Sequence, residues 1–113
     1  MWKNPKKIPA IIKKEVNSDL GKICSGKYYD EIPLGEIFEA LEKNNVIALQ
    51  EDGTPWEGIL CGERAQTQID IGAIWSENDE GTYTPCENTV LVLSWYRMQS
   101  GRYEINAYVS WPI

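Results

Sequence analysis

The sequence predicts an α+β domain, in which an antiparallel sheet of about five strands carries one main helix, residues 34–44, on one face. Two observations predict this fold. One segment repeats apolar residues with the 3.6-residue period of an amphipathic helix, and most of the chain after it alternates apolar and polar residues with the period of a strand. The chain of 113 residues has the length of a single domain, 1–113.

The chain begins with a lysine-rich segment. Residues 1–9 contain two prolines among lysines, which predicts a basic and poorly ordered lead-in. After it, apolar residues recur at the spacing of one helical face, so we favour a second helix over residues 10–23. Because several of these residues are β-branched, a strand is the alternative. The apolar face consists of Ile12, Val16, Leu20 and Ile23.

Residues 34–44 form the clearest predicted helix. Apolar side chains recur at positions i, i+3, i+4 and i+7, and charged side chains fall on the opposite side. Pro33 suits the first turn, and the pair Asn44–Asn45 is a natural end. The apolar face consists of Leu34, Ile37, Phe38 and Leu41.

The remaining elements are predicted strands. The dipeptide Asp52-Gly53 favours a two-residue type I′ turn between the first two of them. An acidic loop, residues 76–88, is predicted before the last two strands. The predicted strands are residues 46–50, 56–61, 66–74, 89–98 and 103–111.

The sequence also predicts the register of the last hairpin. If Ser100-Gly101 is a two-residue turn, Arg97 lies opposite Glu104, an attractive cross-strand pair worth ~0.2–1 kcal/mol. One face is then a core face, and the second face carries more apolar residues than a solvated surface should. We expect the N-terminal helix, a second copy or a partner to cover that second face. The predicted core face holds Val90, Val92, Tyr96, Met98, Tyr103, Ile105, Val109 and Trp111, and the second face holds Leu91, Leu93, Trp95 and Tyr108.

Charge is unevenly distributed along the chain, whose net charge is −6. Residues 1–27 have a balance of +5, and residues 28–113 have a balance of −11. The acidic balance argues against direct nucleic-acid binding, which normally uses a basic face. The uneven distribution favours packing of the basic arm on the acidic body of the same chain, with a basic protein partner for the acidic surface as the alternative.

Composition also indicates the compartment and the absence of bound groups. No apolar run reaches the roughly 18–20 residues that span a bilayer, and the start lacks the apolar core of a secretory signal. The odd number of cysteines (Cys24, Cys61 and Cys86) favours a reducing, cytoplasmic location. Without histidine or a close cysteine pair, we expect no metal site and no cofactor.

One acidic segment shows a local likeness to a calcium-binding loop. Residues 76–87 place oxygen-bearing side chains and a glycine near the required positions. Ser76 stands where the loop needs its first carboxylate, and the predicted flanks are strands where that motif has helices. We interpret the segment as a solvated acidic connection.

We expect no enzymatic activity. The absence of histidine removes the commonest general base and the nucleophile–histidine arrangements of hydrolases. Neither a phosphate-binding loop nor a glycine-rich dinucleotide fingerprint is present.

The leading hypothesis is a small cytoplasmic, non-catalytic protein that caps a basic, nucleic-acid-binding surface of a larger protein. Its carboxylates would mimic nucleic-acid phosphates. In size, acidity and lack of motifs it looks like the anti-defence inhibitors that phages and mobile elements direct at host nucleases, a likeness of composition alone. A homodimer through the second hairpin face is a further expectation. The predicted partner-binding residues are Trp75, Glu77, Asp79, Glu80, Glu87, Leu91, Leu93, Trp95 and Tyr108.

The alternative hypothesis is a homo-oligomer that binds or sequesters a small, nucleotide-like ligand between subunits. Two aromatic side chains would stack on the ligand, and arginines would hold its anionic group. The predicted ligand-binding residues are Arg64, Trp95, Arg97, Arg102 and Tyr108.

Overall fold

The computed structural model describes residues 7–57, 66–75 and 82–110. Within these ranges, five antiparallel strands form one sheet in the order β1-β5-β4-β3-β2, together with two helices. The α+β prediction is therefore confirmed. The elements are α1 (Ala10–Cys24), β1 (Tyr28–Tyr29), α2 (Leu34–Lys43), β2 (Val46–Leu49), β3 (Gln66–Trp75), β4 (Thr82–Arg97) and β5 (Tyr103–Ser110).

Both helices pack on the same face of the sheet. Their fully buried residues join the inward side chains of β2 to β5 in one apolar core, and Ile8 from the predicted lead-in is also buried there. The helix favoured over residues 10–23 is confirmed, and it continues through Gly21. The predicted helix 34–44 is confirmed as α2, and Asn45 after it has the left-handed φ of 61° that asparagine tolerates. The buried helix residues are Val16, Leu20, Ile37 and Leu41.

The predicted register of the last hairpin is wrong by one residue. Arg97 lies opposite Tyr103. The turn has three residues, because the Met98 N–H donates to the Arg102 carbonyl at 2.8 Å and the Gly101 N–H donates to the Met98 carbonyl at 2.9 Å. Gly101 has a φ of +88°, as in the common hairpin loop that ends on a left-handed glycine. The extra turn residue exchanges the two faces of β4 relative to β5. The predicted inward face of β5 is correct, because Ile105 and Val109 are buried.

The exchange places the β4 residues of the predicted second face in the core, whereas Tyr108 on β5 faces outward. Leu91, Leu93 and Trp95 are buried, and they lie on the side of the sheet that the helices cover. Other parts of the same chain, including the N-terminal helix α1, therefore cover these residues, as one of the three alternatives predicts. They are not available to a partner or a second copy. The predicted core face is wrong for Tyr96, which is 67% exposed, and for the outward-facing Val90 and Val92.

The turn after β2 has the same hydrogen-bond pattern as the turn of the last hairpin. The Gln50 N–H donates to the Thr54 carbonyl at 2.7 Å, and the Gly53 N–H donates to the Gln50 carbonyl at 2.9 Å. Gly53 has positive φ but Asp52 does not, so the predicted type I′ turn is wrong. A single bridge joins Leu49 to Pro55. Of the predicted strand 56–61, residues 56–57 are not a strand and residues 58–61 lie outside the described ranges.

β4 begins at Thr82, so the predicted loop 76–88 is wrong from that residue onward. Asp70 pairs with Val90 whereas Gly72 pairs with Pro85, which leaves a large bulge in β4 opposite β3. Asn88, with a φ of 52°, lies in this bulge. The bulge separates the part of β4 that pairs with β5 from the part that pairs with β3 alone.

Candidate interaction surface

Among the described elements, none covers the face of the sheet opposite the helices, and exposed tyrosines lie on it. Tyr28 on β1 pairs with Glu104 on β5, and Glu104 pairs with Tyr96 on β4, so the three form one row across neighbouring strands. The exposed fractions of Tyr28 and Tyr96 are 51% and 67%. Tyr108, 41% exposed, lies opposite Val92 on the same face. We call this surface the tyrosine face.

The tyrosine face is acidic. Its outward charged side chains on the paired strands are Asp70 and Glu104, both exposed. No lysine lies on any strand that the structure describes. The lysines of the described ranges are on the helices and in the neighbouring segments, from Lys7 to Lys43. Within the described ranges, the lysines are therefore confined to the helical side of the protein, and the strands carry none.

A cleft of about 580 Å³ lies where the tyrosine face meets the end of α1. Four outward residues, which form two cross-strand pairs of β4 and β5, line it on the sheet side. The end of α1 and the segment 24–26 line it on the helix side. Gly26 has a φ of +69°, so this segment turns sharply back towards β1. These outward residues are Ser94, Tyr96, Glu104 and Asn106, and the inward-facing Trp95 and Ile105 of the same strands also line the cleft.

Side chains of α1 occupy the edge of β5 beyond β1. The Asn17 amide bonds to both backbone groups of Val109, and the Cys24 sulfur accepts a hydrogen bond from the Ala107 N–H. Burial raises the pKa of the Cys24 thiol, and the Ala107 hydrogen bond offsets part of that rise. Because side chains of α1 occupy this edge, the tyrosine face is the part of the sheet that the described elements leave accessible here.

The predicted partner-binding residues that the structure describes do not form one surface. Leu91, Leu93 and Trp95 are in the core, whereas Glu87 and Tyr108 are exposed on different parts of the sheet. The backbone of Trp75 pairs with Thr82 at the end of β3. Glu77, Asp79 and Glu80 lie outside the described residues.

The alternative ligand-binding set is also separated. Trp95 faces the core and Tyr108 faces outward, so a ligand cannot stack on both rings of one chain. The Arg97 guanidinium lies 5.9 Å from the centre of the Tyr103 ring, and the Arg102 side chain lies 3.6 Å from the Asp30 carboxylate. Arg64 lies outside the described residues.

The sequence predictions missed Tyr28 and Glu104 and placed Tyr96 in the core. The dipeptide Ser100-Gly101 was the available signal. It is compatible with a two-residue turn, and it is equally compatible with a three-residue turn that ends at the glycine. With the three-residue turn, Tyr96 and Tyr108 fall on one outward face.

Comparison with protein-family models, curated proteins and solved structures found no match for this chain. Within the described ranges, no helix is long and apolar enough to cross a membrane.

Proposed function

We propose that this protein is a non-catalytic interaction module that caps a basic surface of a larger protein with its tyrosine face. The row Tyr28–Glu104–Tyr96 carries the proposal, because it places one carboxylate between two exposed aromatic side chains. Tyrosine is enriched at protein interfaces, since its ring provides apolar contact area and its hydroxyl group still forms hydrogen bonds.

Charge supports a basic partner in preference to a second copy of this chain. Two tyrosine faces in contact would bring Asp70 and Glu104 of each copy against carboxylates of the other, which is unfavourable. A lysine- or arginine-rich surface meets the same carboxylates favourably and associates faster. Such surfaces are typical of proteins that bind nucleic acids, so inhibition of nucleic-acid binding is the expected consequence.

The acidic connection after β3 extends this proposal. Glu77, Asp79 and Glu80 precede β4 in sequence and add three carboxylates to an already acidic chain. Their replacement by alanine should weaken partner binding and flatten its salt dependence if they contact the same basic surface.

Site-specific photo-cross-linking tests the proposal. A benzophenone amino acid replaces Tyr96 or Tyr108, and the control replaces Ile11, which is 68% exposed on α1 in the other layer. In an extract of the source cells, we expect one basic protein to cross-link from both sheet positions and not from position 11. Added salt should reduce the yield.

Three results would contradict the proposal. Equal cross-linking from position 11 would show that the cross-linked protein does not bind the tyrosine face in preference to the helical side. A product of twice the chain mass would identify a second copy as the occupant. No product from either sheet position would remove the tyrosine face as an interface.

A further inference from the structure

The cleft beside α1 combines three features that favour a positive charge. Glu104 is the only charged residue among those that line it within the described chain. The exposed ring of Tyr96 presents a face on which a cation can rest. The 15-residue helix α1 ends at the cleft, and the C-terminus of a helix carries a partial negative charge.

The nearby lysines do not fill this cleft. Lys22 and Lys27 line a separate depression, together with Glu36 and Glu39 of α2. Lys22 also lies 4.0 Å from the Asp19 carboxylate. The cleft at Glu104 therefore lacks an internal cation within the described chain, whereas the lysines close to it in sequence line the depression that Glu36 and Glu39 also line.

The cleft is large enough to admit a side chain from another molecule. Its volume of about 580 Å³ falls within the range of about 300–1,000 Å³ that is typical of sites for small groups. It is continuous with the tyrosine face, because Tyr96 and Glu104 belong to both. A group bound there would enter from the surface that we assign to the partner.

We propose that this cleft receives a lysine or arginine side chain of the basic partner. The proposal rests on the proposed function and makes it specific: the carboxylate of Glu104 pairs with the cation, and the ring of Tyr96 packs on the alkyl stem and the charged end. The hydroxyl of Ser94 and the amide of Asn106 provide polar atoms beside it.

The test titrates the ¹⁵N-labelled protein with the peptide acetyl-Gly-Lys-Gly-amide and follows backbone amide shifts by NMR. We expect saturable shifts at Ser25, Gly26 and Asn106, and no saturable shifts when the lysine of the peptide is acetylated. Glu104→Gln should weaken binding at least about threefold, the order expected for an exposed ion pair. Asp70→Asn, on the same face but outside the cleft, is the matched control and should change binding by less than about twofold.

Three outcomes would overturn the cleft assignment. Equal weakening by Glu104→Gln and Asp70→Asn would indicate general charge attraction, and shifts confined to α2 would indicate another site. Butylamine binding as tightly as the peptide would assign the cleft to a free alkylammonium ligand. Peptide binding to the cleft and cross-linking from the tyrosine face are separate measurements, so cross-linking without peptide binding would refute the cleft alone. Cleft binding with equal cross-linking from position 11 would refute the proposed function alone.

Discussion

The side chain of Asn17 replaces a neighbouring strand beside Val109. Its amide nitrogen donates to the Val109 carbonyl at 3.1 Å, and its amide oxygen accepts from the Val109 N–H at 2.6 Å. An asparagine has one donor group and one acceptor, so it satisfies both backbone groups that the edge strand β5 would otherwise leave open. The helix thus covers the sheet and also blocks pairing at this edge.

Asn17→Ala should lower the free energy of unfolding by about 1–3 kcal/mol, because it leaves two partly buried backbone groups without these partners. Urea unfolding measures the loss. Ser18→Ala, at the exposed neighbouring position on α1, is the control and should change stability by less than about 0.5 kcal/mol. Hydrogen exchange at the Val109 amide should also accelerate in the Asn17 variant only. Unchanged exchange there would contradict the proposed role of the asparagine.

The register of the last hairpin makes opposite predictions for two adjacent residues. Leu93 is fully buried and Val92 faces outward, so Leu93→Ala should destabilise the protein by about 2–5 kcal/mol and Val92→Ala by less than about 1 kcal/mol. Chemical unfolding of both variants measures the difference. A larger loss of stability in Val92→Ala than in Leu93→Ala would contradict the observed register and support the two-residue turn.

Two glycine-to-alanine substitutions should change stability in opposite directions. Gly101 has a φ of +88°, which strains any residue with a Cβ atom, so Gly101→Ala should destabilise by ~1–2 kcal/mol. Gly35 lies in α2 with nothing within 4 Å of an added Cβ, so Gly35→Ala should stabilise by ~0.5–1 kcal/mol. Thermal unfolding of the two variants measures the direction of each change in stability. A stabilising Gly101→Ala would show that the turn does not need left-handed glycine.

Cys86 should react slowly with alkylating reagents in the folded protein. Burial raises the pKa of its thiol to about 11 from 9.0, which reduces the reactive thiolate at pH 8 about a hundredfold. Peptide mass spectrometry after iodoacetamide treatment measures modification at this residue, and the protein in urea is the control. Rapid alkylation in the folded state would contradict the burial of the thiol.

The same shift predicts a pH dependence of stability. The folded protein holds the Cys86 proton more tightly than the unfolded chain, so the contribution is present below pH 9 and is lost as the pH rises towards about 11. The decline of unfolding free energy over this interval should be smaller in Cys86→Ala. An identical decline in both proteins would show that other groups cause it.

Much of the secondary structure was predictable because local periodicity specifies it. The apolar residues of α2 recur at helical spacing, and the helix forms where that pattern lies. The alternation in β3 and β5 likewise predicted strands within one or two residues of their observed bounds. β1 has only two residues, too few to show a period, so its pairing with β5 was not predictable.

The candidate surface was less predictable because it depends on one turn residue. β4 has apolar residues on both of its faces, so the hydrophobic pattern accepts two registers that differ by one position. The sequence predicted Tyr108 as a surface residue and misplaced Tyr96, which lies on the same face in the observed register. Trp95 and Leu93 were assigned to a binding surface although they belong to the core.

The sequence by itself determined the fold class, both long helices, most of the sheet and the separation of positive and negative charge along the chain. These properties follow from composition and from periods of a few residues, which act locally. Only the tertiary structure decided which hairpin face is buried and how the edge of β5 is covered. Asn17 and Val109 are 92 residues apart, and such a contact depends on the packing of α1 against the completed sheet. Neither described helix covers the tyrosine face, because α1 and α2 both bury their apolar sides against the opposite face.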